Sequence, residues 1–573
     1  MKEYIVTLHN REDLEDFYND METPGGDLYI PDRAVDLQLR RAISRNTHYM
    51  LTDEEAEQLK EDPRVRNVES LEFLQSIEYV MHGYSNSGSW NRSYSTLSSN
   101  DQNWGMLRHT IDNNVTNWGY EATNTTTASF NITASGKNVD VLIVDGSIPY
   151  SANAHPEFAV NADGTGGTRM QYFNWLSLTN ELGLGLNGTY DYNTIPSAVE
   201  TDHGCHVAST VAGSTLGWAR EANIYSIEFY YTNAVNNNPS NSDLTPLTMW
   251  DYIRQWHSTK PINSETGRRN PTISNHSYGG QISKDSYITN GPYDGVGAFR
   301  YRGSLYDAWG DDGRDLTDAE LNARGIYTDG SGNWKIPQYG TSELSDVEDA
   351  IADGIIVVTS AGNNSQKIVL SGDQDYNNIL HLRQGGNQYP TNGNKYSHRP
   401  DDSAQTDPAS IVVGNLGAKS NDRKYQSSAC GNSVDIFAAG SGIVGAAISN
   451  SLAPYGSATQ DARDSSFWLA KIGGSSMASP QVAGVLALLA ESNPGLTQSE
   501  ANEWLIANAT NNVMYDTQAD DAMDRESLQG AANRILRWIN QRPETGMSFP
   551  KVNAKARPTS GRTYPRPRIR ARG

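Results

Sequence analysis

A doubly wound α/β chain, built on a mostly parallel sheet and preceded by a small α+β unit, is the architecture the sequence predicts. Three observations carry it. Apolar runs recur through the middle of the chain, at 139–144 around Asp140, at 355–358 and at 411–413. A strand buried on both faces of a parallel sheet reads as such a run. Helix-like segments separate the runs at 208–212, 247–256 and 344–352, and alternation of this kind implies parallel strands joined by crossovers. The first 83 residues keep a different rhythm, two strand–helix halves.

A chain of 573 residues is expected to form more than one domain. Residues 1–83 open with a strand-like run, Tyr4 to Leu8, then a helix-like stretch from Arg11 to Glu22 with Leu14, Phe17 and Met21 on one side. A second strand-like run, Tyr49 to Leu51, meets Thr52 and Glu55, the spacing of a capping box, so a helix is predicted to run from there to about Asp62. Pro63 closes it, and Val65 to Val68 completes a ferredoxin-like sandwich. Residues 84–102 are rich in Ser, Asn and Gly, the composition of a linker exposed to proteolysis, with a cut after Tyr84 expected if the first unit is removed.

Four stretches carry chemistry. A buried run ends in Asp145-Gly146-Ser147, delivering a carboxylate to the strand tip where α/β sheets place their sites; turn capping is the bland alternative. His203 and His206 lie in a small-residue segment. Two histidines admit a metal, but no Glu stands between them and no third ligand is near, so one base and one packed residue is the better account. Gly362-Asn363 ends the run at 355–360 with a side-chain amide. Gly473-Gly474-Ser475-Ser476 runs into an apolar, Ala-rich segment. That is a tight loop feeding a buried helix, where unpaired N–H groups favour negative charge near a hydroxyl. Pro480 is expected in the first turn, where its missing N–H costs little.

These blocks, in the order Asp, His, Asn, Ser over about residues 103–510, resemble the subtilisin-like serine proteases. The resemblance implies a serine endopeptidase with catalytic Asp145, His203 and Ser476, an oxyanion donor in Asn363, and substrate backbone added as a strand along Ser277, Tyr278, Gly279 and Gly280. The segment 51–69 is similar to the inhibitory prodomains of that family, so the N-terminal unit is expected to inhibit its own protease domain, residues 103–540, until cut. The implied partner is a polypeptide substrate. No metal enters the site and no cofactor is required for catalysis.

Departures from the family pattern carry further expectations. Gly146-Ser147 reverses the usual order after the Asp, with a local backbone shift expected, and Gln481 stands where His is usual, away from the triad. Cys205 and Ser475 replace threonines, and Cys205 beside the base points to sensitivity to thiol reagents. The loop at 213–218 is short, so a high-affinity calcium site is expected to be absent, although Glu157 stands where an acidic ligand would be; carboxylate-rich insertions leave structural calcium open elsewhere. Insertions at about 281–342 and 365–405 follow strand ends that face the site and are expected as self-packed surface loops, with walls of the cleft that narrow substrate choice as the alternative. Two cysteines exclude a disulfide framework. No apolar run suits a membrane, and charge interrupts the N-terminus before a signal core forms. A cytoplasmic or virion-associated location is expected. Residues 541–573 are read as a disordered basic tail, with eight Lys and Arg and no acidic residue from Gly546 onward, against a net charge of -22 for the whole chain. Its expected partner is an acidic surface or nucleic acid. A structural or assembly protein of a virus particle that carries such a domain is the alternative function.

Overall fold

The computed structural model describes residues 1–540 apart from 11, 31–36, 41–45, 71–83, 92–96, 111–124, 147, 179–189, 194–197, 229–245, 308–315, 330, 339–341, 385–393, 401–409, 420 and 518–523. The basic tail lies outside the described residues, as does Ser147. The chain divides into two compact units, Met1–Met81 and His82–Gly573. Among the described residues no helix is long and apolar enough to cross a membrane.

In the first unit, β1 (Lys2–Leu8), α1 (Leu14–Glu22), β2 (Leu37–Arg40), β3 (Asn46–Leu51), α2 (Asp53–Leu59) and β4 (Val65–Ser70) follow in order. The strands lie β2-β3-β1-β4, with β1 antiparallel to both β3 and β4. The capping box forms: Thr52 Oγ1 accepts the Glu55 N–H at 3.2 Å and a Glu55 carboxylate oxygen accepts the Thr52 N–H at 2.8 Å. Phe17 and Met21 from α1 and Leu59 from α2 bury against Val6, Tyr49 and Val68 of the sheet.

The second unit begins with β5 (Tyr84–Asn91), which pairs antiparallel with β6 (Thr125–Ile132) along its whole length. The reading of 84–102 as a linker is thereby corrected over 84–91. Its small polar residues suit a pleated strand once a partner exists, and Trp90 anchors the pair, buried, with its indole N–H donating to the Ala128 carbonyl at 3.0 Å. Tyr84 itself is paired, opposite Ile132. A cut after it would fall in hydrogen-bonded sheet, and such backbone resists proteases.

The main sheet collects β7 (Asp140–Asp145), β8 (Met170–Gln171), β9 (Asn223–Glu228), β10 (Thr272–His276), β11 (Ile355–Ser360), β12 (Ile411–Leu416), β13 (Ile436–Ala439), β14 (Thr510–Asn511) and β15 (Arg534–Ile535). They lie β14-β15-β13-β12-β11-β10-β7-β9-β8, all pairs parallel except β14 with β15. Every residue of β7 is buried, and alternate side chains serve opposite layers. Val141 and Ile143 join one core with α3 (Ala198–Ala212); Leu142 and Val144 join another with α4 (Pro246–Thr259) and α5 (Ser342–Ala352). Helix α6 (Ser475–Ser492), almost wholly buried, crosses β10 to β13 and packs on α3.

The two insertions are one structure. Strand Gly295–Tyr301 from the first pairs with Ile379–Arg383 from the second, flanked by Ser304–Asp307 and Asn394–Tyr396. Phe299, Trp334, Ile336, Leu380 and Leu382 form their shared core. The two insertions thus pack on one another, with aromatic residues such as Phe299 and Trp334 in their interior.

Candidate active site

The strand order sets the position of the site. β9 lies on one side of β7 and β10 on the other, so the chain reverses direction across the sheet there, and such switch points open a crevice at the carboxyl ends of the strands. Asp145 ends β7, Ser277 follows β10, and Asn363 lies just beyond β11.

Asp145 is buried, and its Oδ1 accepts the Gly146 N–H and the His203 Nδ1–H, both at 2.7 Å. A carboxylate only accepts, so the proton resides on Nδ1 and Nε2 is left as a base. Among the described residues Asp145 Oδ2 has no hydrogen-bond partner. His203 stands in the second turn of α3, which starts at Ala198, ten residues before the predicted start. That first stretch is polar because Asp202 is buried, taking the Ile448 and Ser449 N–H groups and the Ser449 and Ser451 hydroxyls. Gly146 explains the reversed Gly-Ser order: a Cβ there would collide with the Glu200 carbonyl of the same helix. Burial alone would lower the His203 pKa; the charge and hydrogen bond of Asp145, with Glu200 behind them, outweigh it and hold the pKa above the ordinary imidazole value.

Ser476 is the second residue of α6 and 8 % exposed. Its hydroxyl donates to the Ser277 carbonyl at 3.1 Å rather than to His203, and the Ser277 hydroxyl donates back to the Ser476 carbonyl at 3.1 Å. The return bond has a cause. Pro480 sits at the sixth helical position, not in the first turn as expected, and its missing N–H is the one that would have bonded the Ser476 carbonyl. Asn275 donates to the Ser277 hydroxyl at 2.9 Å, and Ser479 lies 2.9 Å from it.

Asn363 is exposed and held by its neighbour. Its Oδ1 accepts both the Ser475 N–H at 2.8 Å and the Ser475 hydroxyl at 3.0 Å, while Ser475 Oγ takes the Gly362 N–H at 3.1 Å. The amide orientation follows, since only oxygen can face a backbone N–H; Nδ2 is left for the cleft. Sequence reasoning assigned Ser475 no role beyond being small, and its place beside Ser476 was the signal. Of the segment 277–280, Gly279 is exposed, whereas the Gly280 carbonyl already accepts the Gln338 N–H at 3.0 Å.

His206 is buried, with Nε2 against the Ile443 and Ala470 carbonyls at 3.0 and 3.2 Å, where bare Gly445 admits the ring. Cys205 is fully buried, and burial pushes its thiol pKa well up, so the expected reagent sensitivity lacks an accessible thiolate. Gln481 bonds Trp218 and Asn103, remote from the triad. The buried Glu157 carboxylate accepts the Thr215 and Leu216 N–H groups at 3.0 Å each and pairs with Arg463.

A cavity of about 190 Å³ adjoins Ser476, running between Ser277–Gly280 and Ser360–Asn363 and ending at Gln281, Pro337 and Gln366. These three end residues were not anticipated, because they meet only through the fold of the insertions.

No curated protein matches the sequence. Among solved structures, the chain is similar to a cold adapted subtilisin-like serine proteinase, with 18% identity, covering 76% of this chain and 100% of that one at a TM-score of 0.39. Residues 136–530 match the subtilase family. That span is more than half of the sequence and includes both walls of the crevice, and the chain belongs to the subtilase family of serine endopeptidases.

Proposed function

We propose that Asp145, His203 and Ser476 are the triad of this endopeptidase and that Asn363 supplies its oxyanion donor. A neutral hydroxyl is a weak nucleophile, so His203 Nε2 takes the Ser476 proton as Oγ attacks the scissile carbonyl, then returns it to the leaving amine. Asp145 fixes the tautomer and stabilises the imidazolium that forms. The observation that carries this reading is the 2.7 Å bond from His203 Nδ1 to a buried carboxylate beside the cleft that holds Ser476. Rotation about the Ser476 Cα–Cβ bond frees its hydroxyl from Ser277, and catalytic hydrogen bonds commonly tighten only when substrate is bound. Asn363 Nδ2 and the Ser476 N–H receive the oxyanion; one such donor is worth about 2.7–4 kcal/mol, a value established for this enzyme class. Substrate backbone pairs along Ser277–Gly280, and the unit Met1–Met81 acts as an inhibitor that the enzyme itself removes. Base, nucleophile and oxyanion donors are all protein groups, so the proposed chemistry requires no cofactor.

The test compares the purified full chain with Ser476→Ala. Wild type is expected to lose the mass of its N-terminal unit and to take a fluorophosphonate on Ser476. The variant should stay full length, unlabelled and folded by circular dichroism. Casein hydrolysis by Ser476→Ala at the wild-type rate would remove the nucleophile assignment.

A further inference from the structure

The cavity beside Ser476 has an end wall built from the two insertions, and its chemistry selects a substrate. Gln281 and Pro337 face each other across a short antiparallel pair, Gln281–Ser283 with Lys335–Pro337, so the first insertion folds back to line the cavity. Gln366 completes the wall and is 3 % exposed. Its side-chain Nε2 donates to the Lys335 carbonyl. A carbonyl cannot accept from another oxygen, so the amide orientation is fixed with Oε1 turned away from Lys335. One Nε2 hydrogen remains after that bond is made. The Gln366 carboxamide thus keeps one acceptor and one donor beyond that bond. No Asp, Glu, Lys or Arg lines the cavity among the described residues.

We infer that this cavity receives the side chain preceding the scissile bond and selects a carboxamide there, glutamine or asparagine. A charged side chain would enter without a counter-ion, at a high desolvation cost. An apolar one would leave the Gln366 amide dry and unpaired, which sites built for hydrogen bonding strongly disfavour. A second carboxamide pairs its N–H with Gln366 Oε1 and its oxygen with the remaining Nε2 hydrogen. This inference rests on the assignment of Ser476 as nucleophile.

The full chain, incubated to constant mass, is given peptides identical except before the scissile bond, where they carry Gln, Met or Glu. Met matches Gln in length without its hydrogen bonds, and Glu adds only charge. The expected kcat/KM for Gln exceeds that for Met and for Glu by at least about tenfold. In Gln366→Leu the Gln and Met peptides should become equal, while fluorophosphonate labelling of Ser476 persists. Equal or better cleavage of the Met or Glu peptide by wild type overturns the inference, as does a preference that survives in Gln366→Leu. Should that variant not fold, the wild-type ratios decide alone. A wild type that neither labels nor cleaves any peptide sinks the nucleophile assignment and the pocket with it, a result distinct from labelling without selectivity.

Discussion

The His203 imidazole is pulled two ways: burial opposes its charged form, while Asp145 and Glu200 favour it, and the carboxylates win. The proposed base acts only when neutral, so its raised pKa makes kcat/KM fall as pH drops through a value above the ordinary histidine figure of about 6.5. Glu200 acts on the ring through its charge. Glu200→Gln is therefore expected to move the acid limb of the pH–kcat/KM profile to lower pH, and only modestly because Glu200 is exposed and screened. A limb that stays put or rises would show that Glu200 does not reach the base. At this scale the sequence names the candidate residues and is silent about their orientation. Ser476 and Asn363 stand out from glycine-rich loops beside apolar runs. The exchange of bonds between Ser277 and Ser476 depends on Pro480 freeing a carbonyl that a hydroxyl 199 residues away then satisfies, and no local pattern encodes that.

Elements were legible in proportion to how local their signals are. Strands β7, β11 and β12 show as apolar runs because both faces are buried, and α2 shows through its capping box. Three elements were hidden for physical reasons. The start of α3 is polar because Asp202 satisfies a distant loop; β5 is polar and needs β6 to become a strand; the insertions pair across 379–383 and 295–301, a contact between separate segments. Asp375 holds that last structure together, accepting Arg302 at 2.7 and 2.9 Å and Lys367 at 2.9 Å with its own side chain 1% exposed. Burial would raise its pKa, and the Arg302 and Lys367 bonds reverse the direction to well below the usual carboxylate range. Asp375→Asn replaces a buried carboxylate that pairs with both Arg302 and Lys367 by a neutral amide and is expected to cost about 3–5 kcal/mol. Hydrogen exchange should accelerate in Gly295–Tyr301 and Ile379–Arg383 while β7 and β10 stay protected. Unchanged exchange in those strands would mean that the buried pairs do not carry the insertion fold.

At the scale of the whole chain, the proposal of self-inhibition makes a demand on the first unit: it must fold without the rest. Met1–Met81 has its own four-stranded sheet and a separate core with eleven buried apolar residues among the described ones. A unit of this size has little stability to spare, so its inhibitory competence should track its core closely. A fragment of residues 1–81 added to a chain beginning at His82 is expected to lower peptide hydrolysis saturably, at one fragment per enzyme. Leu51→Ala empties a core position at a cost of about 2–5 kcal/mol, enough to unfold so small a unit. That variant should lose both its circular-dichroism signal and its inhibition. The decisive comparison is a wild-type fragment that is folded and present in excess. If hydrolysis then continues undiminished, the unit is no inhibitor, and any self-cleavage that frees it must serve some end other than activation.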